Sequence, residues 1–279
     1  MSRSLPQPDG VTDAVDYGDR VKIALMDSGI GLLAAAAAVR RLRPDADLVL
    51  SSDPEGMPWG PRTPDDVTER ALAVARAAVA HAPDALIVAC NTASVHALPT
   101  LRAELEPAVP IIGTVPAIKP AAAGGGQVAI WATPATTGSV YQRRLINDFA
   151  GTAAVTEVPC PGLADGVQHA DDTMIDRAIT AAAALTPRGV RAIVLGCTHY
   201  ELVAERIRTA VGVPVVLYGS AEAVAAQALR RVARTDASAP GTPIGGRVTV
   251  LHSGRESALS VQAMSYVEAR SLHAATPVR

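Results

Sequence analysis

Short apolar runs alternate with longer amphipathic segments from about residue 21 onward. Val21–Met26 is an apolar run of strand length that ends at Asp27-Ser28-Gly29. Residues 32–42 are rich in Ala and Leu and predict a helix, and 47–50 predict a short strand. A helical pattern over 67–82 leads to a buried strand over 85–89, which ends at Cys90. A helix over 93–105 and a strand over 109–114 complete this unit. The pattern then restarts. Strands are predicted over 128–131, 154–158, 192–195 and 213–217, with helices over 138–149, 173–185 and 200–211 between them. A loop over 236–246, a strand over 247–252 and a helix over 255–272 follow. Such β-α alternation predicts parallel sheets covered by helices.

The two units can be superposed at an offset of about 105 residues. Ile23-Ala24-Leu25 falls on Val128-Ala129-Ile130, Ile87-Val88-Ala89-Cys90 on Val194-Leu195-Gly196-Cys197, and Val109-Pro110-Ile111-Ile112 on Val213-Pro214-Val215-Val216. Three matches in order, with a cysteine in register, predict an internal duplication. Residues 1–20 read as a flexible polar leader without an apolar core, hence not a signal peptide.

Composition narrows the function classes. The 279 residues are 49% hydrophobic and 19% charged, which argues against disorder. With 25 basic and 27 acidic residues, the net charge of −2 gives no pull toward nucleic acid. No apolar stretch reaches the length of a membrane span. Three cysteines exclude a disulfide framework and suit a reducing, cytoplasmic compartment. Lys22 and Lys119 are the only lysines, which leaves few candidates for a Schiff base. No phosphate-loop motif and no Cys/His zinc spacing are present, so no metal or cofactor is expected.

Ligands of parallel α/β sheets bind beyond the carboxyl ends of the strands. Cys90 and Cys197 each stand there, before a predicted helix whose free N–H groups are expected to lower the thiol pKa. Asn91-Thr92 follows the first cysteine and Thr198-His199 the second; such turns can hold a carboxylate. A lone strand-end cysteine is as readily a small buried hydrophobe. Two in matching positions point instead to a pair of acid/base groups, one on each face of a planar carbanion. Asp27, beside the Cys90 strand, is either a proton partner or a turn residue, and His199 is the corresponding partner of Cys197. Cys160 reads as packing. Trp59, in the turn-rich loop 53–60, reads either as a lid over a ligand or as a plug at the core edge.

Taken together, Asp27-Ser28-Gly29, Ala89-Cys90-Asn91-Thr92-Ala93-Ser94, Thr133-Pro134-Ala135-Thr136 and Gly196-Cys197-Thr198-His199-Tyr200 resemble the cofactor-independent glutamate racemases of the aspartate/glutamate racemase superfamily. The resemblance spans about residues 21–232. It implies two pseudo-symmetric flavodoxin-like domains, 21–114 with 219–279 and 115–218, with the active site between them. It implies Cys90 and Cys197 as the two acid/base residues, Asp27 and His199 as their helpers, and Asp27, Ser28, Trp59, Gly60, Asn91, Thr92, Thr198 and His199 as substrate contacts. Glutamate is the implied substrate, with D-glutamate feeding peptidoglycan synthesis. A homodimer and a protein partner stay open, since some members are implicated in restraining DNA gyrase; so does a paralogue acting on another amino acid. The chain departs from the family pattern at Leu32 (usually Gly), Trp59 (usually Tyr), Gln168 (usually a Glu that pairs with the histidine) and Gly219 (usually Asp). Asp165, one turn before Gln168, is a candidate substitute for the missing carboxylate.

Overall fold

The computed structural model describes residues 20–212, 214–232 and 245–274. The proposed leader and most of the 236–246 loop lie outside these residues, as does Val213 of the expected 213–217 strand. The elements in order are β1 (Lys22–Asp27), α1 (Leu32–Leu42), β2 (Asp47–Ser52), α2 (Pro64–Val79), β3 (Ala85–Val88), α3 (Asn91–His96), α4 (Leu98–Leu105) and β4 (Ile111–Gly113). Next come α5 (Ile118–Ala122), β5 (Gln127–Ala132), α6 (Val140–Phe149), β6 (Ala154–Pro159), α7 (Leu163–His169), α8 (Asp172–Leu185) and β7 (Ala192–Leu195). The remainder is α9 (Thr198–Glu201), α10 (Ala204–Val211), β8 (Val216–Tyr218), α11 (Ala221–Val232), β9 (Val248–His252), β10 (Arg255–Ser257) and α12 (Val267–Ala274).

The strands form two sheets, ordered β10-β9-β2-β1-β3-β4 and β6-β5-β7-β8. All pairings are parallel except β9 with β10. The run β2-β1-β3-β4 has the same order as β6-β5-β7-β8, with β1 equivalent to β5 and β3 to β7. The repeat seen in the sequence is therefore a repeat of topology. In each sheet the chain winds one way from the first strand and then the other way. The reversal lies between β1 and β3 in one sheet and between β5 and β7 in the other. Helices pull away in opposite directions at such a point and leave a crevice at the strand ends.

The core follows from the apolar runs. The β1 and β3 side chains Ile23, Leu25, Leu86 and Ile87 are fully buried. Ala-rich α1 is buried on nearly all sides, between the first sheet and α11 and α12. Its small side chains combine high helix propensity with close approach to neighbours. Polar N-caps start α2, α6 and α8. Thr63 accepts from the Asp66 N–H at 3.3 Å, Ser139 from the Gln142 N–H at 3.1 Å, and Asp171 from the Met174 N–H at 2.9 Å. Among the described residues no helix is long and apolar enough to cross a membrane.

Three expectations need correction. The helix expected over 93–105 is broken at Ala97, because Pro99 has no N–H to donate into the preceding turn and instead opens α4. The helix expected over 200–211 starts earlier, at Thr198, and breaks at residues 202–203. That break lets the Glu201 carboxylate accept from the Ser220 N–H (2.8 Å), the Ser220 hydroxyl (2.9 Å) and the Ala221 N–H (3.3 Å) at the start of α11. A Cβ on Gly219 would lie 2.2 Å from Glu201 Oε2, so this carboxylate fills the space that an aspartate at 219 would need. The helix expected over 255–272 is instead β10, a 3-10 turn at Ala263–Ser265 and α12. Ser253 (φ 45°) and Gly254 (φ 80°) turn the chain back so that Arg255–Ser257 pairs with β9. Helices α5, α7 and α11 had no counterpart in the expected elements.

Candidate active site

The strand ends at both reversal points face one cavity of about 270 Å³. Asp27 closes β1, Cys90 follows β3, Thr133 follows β5, and Cys197 follows β7. All ten residues expected at the site line this cavity: Asp27, Ser28, Trp59, Gly60, Cys90, Asn91, Thr92, Cys197, Thr198 and His199. Thr133 and Thr136, to which the sequence reading assigns no role, also line it, with hydroxyls 3.2 Å apart. The offset of about 105 residues places Thr133 opposite Ser28, so a signal for it was present in the sequence. Cys160 is 1% exposed and points its thiol at the Val158 carbonyl, at 3.5 Å, but it also forms part of the wall.

Both cysteines occupy N-cap positions with extended backbone (φ −143° and −140°), so each side chain projects from the strand end. The helices that follow are short, and burial dominates the thiols. Desolvation pushes Cys90 well above the ordinary 9.0, with the Asp27 carboxylate adding to the effect. Desolvation pushes Cys197 up to about 12. Backbone N–H groups pull the other way at both positions but are outweighed. The expected lowering by a helix N-terminus is thus reversed: the loss of water from the sulfur outweighs the one N–H dipole at Cys90 and the two at Cys197. A thiolate formed in such a place is a strong base, which suits removal of a proton from carbon.

Asp27 is fully buried, and its Oδ2 has no hydrogen-bond partner among the described residues. That oxygen lies 3.9 Å from His199 Nδ1, which in turn lies 3.9 Å from Cys197 Sγ. Burial pushes the His199 pKa down, while Asp27 and Asp165 oppose this. On its far side, His199 Nε2 lies 3.1 Å from Gln168 Oε1. The same oxygen accepts the Ile30 N–H at 2.9 Å, which fixes the orientation of the amide. An oxygen accepts only, so His199 carries its proton on Nε2 and turns the Nδ1 lone pair toward Cys197 and Asp27. Gln168 itself therefore takes the position expected of the carboxylate. Asp165, exposed on α7, acts on the imidazole through charge and not through a hydrogen bond.

Replacing Gln168 with Glu is expected to raise the His199 pKa, since a carboxylate at the 3.1 Å contact favours the imidazolium. The His199 ring signals in an NMR pH titration measure this, and an unmoved midpoint would refute the contact. Asn91 spans the cavity floor: its Nδ2 donates to the Gly196 carbonyl at 2.6 Å, while its Oδ1 has no partner among the described residues. Among the described residues no Lys or Arg lines the cavity. An anionic ligand would be held by hydroxyls and backbone N–H groups.

The sequence and the fold have counterparts among known proteins. The Asp/Glu/Hydantoin racemase family profile matches residues 32–229. A glutamate racemase of Roseiflexus sp. is 35% identical over 240 residues, covering 83% of this chain and 87% of that protein. A glutamate racemase of Vibrio campbellii is 37% identical over 211 residues, covering 73% and 77%. Among solved structures, Escherichia coli glutamate racemase, in complex with L-glutamate and the activator UDP-MurNAc-ala, superposes with a TM-score of 0.73 at 26% identity. That match covers 92% of this chain and 96% of that one. The fold is thus the parallel-sheet α/β architecture of the glutamate racemases, and the chain belongs to the Asp/Glu/Hydantoin racemase family.

Proposed function

We propose that the protein interconverts L- and D-glutamate by proton transfer at Cα between two thiols, without metal or cofactor. The observation that carries this reading is the placement of Cys90 and Cys197. They follow equivalent strands of two equivalent sheets and open onto one cavity. A ligand between them presents one face of Cα to each sulfur. The thiolate on one side takes the Cα proton, and the C–H electron pair stays on the substrate as a planar carbanion shared with the α-carboxylate. The thiol on the other side then gives its proton to the opposite face. Asp27 stands beside Cys90 and His199 beside Cys197 to hold and return the proton between turnovers. Ser28, Thr92, Thr198 and Asn91 contribute neutral hydrogen-bonding groups, and Trp59 and Gly60 form the wall. Glutamate is the substrate named for the relatives in all the curated matches given above, which supports it here.

The same reading divides the chain into two racemase domains, 21–114 with 219–279 and 115–218. The two sheets support this division, with β9 joining the first beside β2. It also places the enzyme in the cytoplasm, supplying D-glutamate for peptidoglycan. A second reading, racemisation of a different amino acid, is favoured by one observation. The Trp59 indole N–H is used within the protein, so this residue offers the ligand an apolar surface.

Incubation with L-glutamate in deuterated water is expected to abolish the circular dichroism of the substrate and to place deuterium at Cα. Exchange with another amino acid but not with glutamate would select the second reading. No exchange with any amino acid would remove both.

A further inference from the structure

Trp59 is 1% exposed, and its position depends on one buried carboxylate outside the cavity. Asp53 follows the last residue of β2 and is 5% exposed. Four donors converge on it. Its Oδ2 accepts from Trp59 Nε1 at 3.1 Å and from Arg70 Nη1 at 3.2 Å. Its Oδ1 accepts from the Gly56 N–H at 3.1 Å and from the Ser253 hydroxyl at 3.0 Å. The Asp53 N–H donates to the Ser28 carbonyl at 3.3 Å, which ties the same residue to the β1 end of the cavity.

These partners come from four separate parts of the chain: the 54–60 loop, α2, the β1 end, and the β9–β10 hairpin 200 residues away. The loop is fitted closely around the carboxylate. A Cβ on Gly56 would lie 1.9 Å from Asp53 Oδ2, so only glycine allows this approach. The Gly56 carbonyl accepts from Arg62 Nε at 2.7 Å, and Arg255 of the hairpin pairs with Glu55 on the same loop. Ser253 holds a left-handed backbone (φ 45°) that glycine or asparagine would adopt at lower cost, and from there its hydroxyl reaches Asp53.

We infer that Asp53 is a positioning residue for substrate binding. It fixes the Trp59 wall of the cavity and transmits the position of the β9–β10 hairpin to it. The inference rests on the racemase reading of the cavity. Asp53 touches no reacting atom, and its effect runs through Trp59. Asparagine cannot replace it, because its single oxygen can serve either the Trp59–Arg70 side or the Gly56–Ser253 side, and its NH₂ then confronts donors on the other.

The test is made in a Trp131→Phe background, which leaves Trp59 as the only indole of the two in the chain. Asp53→Asn is expected to red-shift Trp59 emission and to raise the KM for glutamate about ten-fold, with kcat within about three-fold, the signature of lost uniform binding. Ser253→Ala is expected to move both readouts in the same direction by less, since Oδ1 keeps the Gly56 N–H. Unchanged emission in Asp53→Asn overturns the inference, as does shifted emission with unchanged KM. If Asp53→Asn does not fold, Ser253→Ala carries the test, because it removes one donor to Oδ1 and leaves the Trp59 indole in place; red-shifted emission with a raised KM supports the inference, and unchanged emission or an unchanged KM overturns it. Should the parent protein fail to turn over glutamate, the proposed substrate falls separately. The emission arm still reads the hold of Asp53 on Trp59, and the KM arm moves to the amino acid that exchanges deuterium.

Discussion

Replacing either Cys90 or Cys197 with serine is expected to lower racemisation by roughly 10²- to 10⁴-fold in both directions, the usual contribution of one general acid/base. Serine matches cysteine in shape, so the cavity wall survives. Its hydroxyl, however, does not release a proton in a buried site that already penalises the more acidic thiol. Both directions suffer because each needs a base on one face and an acid on the other, and the two sulfurs exchange these roles when the direction reverses. Isotope exchange separates the two thiols. The sulfur retained in a single variant can still remove the Cα proton of the enantiomer that faces it, and it can return solvent deuterium to that same face. Cys90→Ser is therefore expected to label one enantiomer without inverting it, and Cys197→Ser the other. Deuterium incorporation followed by mass spectrometry, alongside polarimetry, measures this. Full interconversion by both single variants would refute the two-thiol chemistry.

That expectation was legible in the sequence because the two cysteines stand at matching places in two matching units. Strand spacing alone places Asp27, Cys90 and Cys197 at carboxyl ends, and the parallel topology brings those ends to one crevice. Three things were less legible. The thiol pKa direction depends on how much water the closed cavity excludes, a property of both halves together and not of either turn. The junction at Asp53 joins residues as far apart as 53 and 253, and no local pattern marks that contact. The strand β10 turns on the Ser253-Gly254 pair and the broken helix after Cys90 on Pro99, within segments whose composition suits a helix. The departure at Gln168 was visible as a substitution. Its consequence, a neutral acceptor that fixes the histidine tautomer, required the Ile30 N–H to be seen on the same oxygen.

Gly31→Ala is expected to reduce kcat/KM by about 10²-fold while leaving the fold intact, the scale of loss that follows when reacting groups are misplaced by about 1 Å. Gly31 is the N-cap of α1, with φ −59° and ψ −23°, a conformation any L-residue adopts. Backbone strain is therefore absent, and alanine is the better helix former. The penalty is one of space. A methyl on Gly31 would lie 2.4 Å from Thr198 Oγ1, 2.5 Å from Asp27 Oδ2 and 2.7 Å from His199 Nδ1. All three are polar groups of the cavity wall, and each sits on a strand end or short helix that the core holds in place. The side chains must yield, because Asp27 and His199 are almost completely buried and the surrounding backbone is packed. Displacing His199 opens its 3.1 Å contact with Gln168, and displacing Asp27 removes the charge beside Cys90. Gly124→Ala, on a loop where a methyl meets nothing within 4 Å, is the matched control and is expected to keep full activity. Thermal unfolding followed by circular dichroism separates the two explanations. An unchanged midpoint with lost activity assigns the effect to the crowded site, whereas activity retained within a few-fold would mean that these three groups move aside without cost to the chemistry.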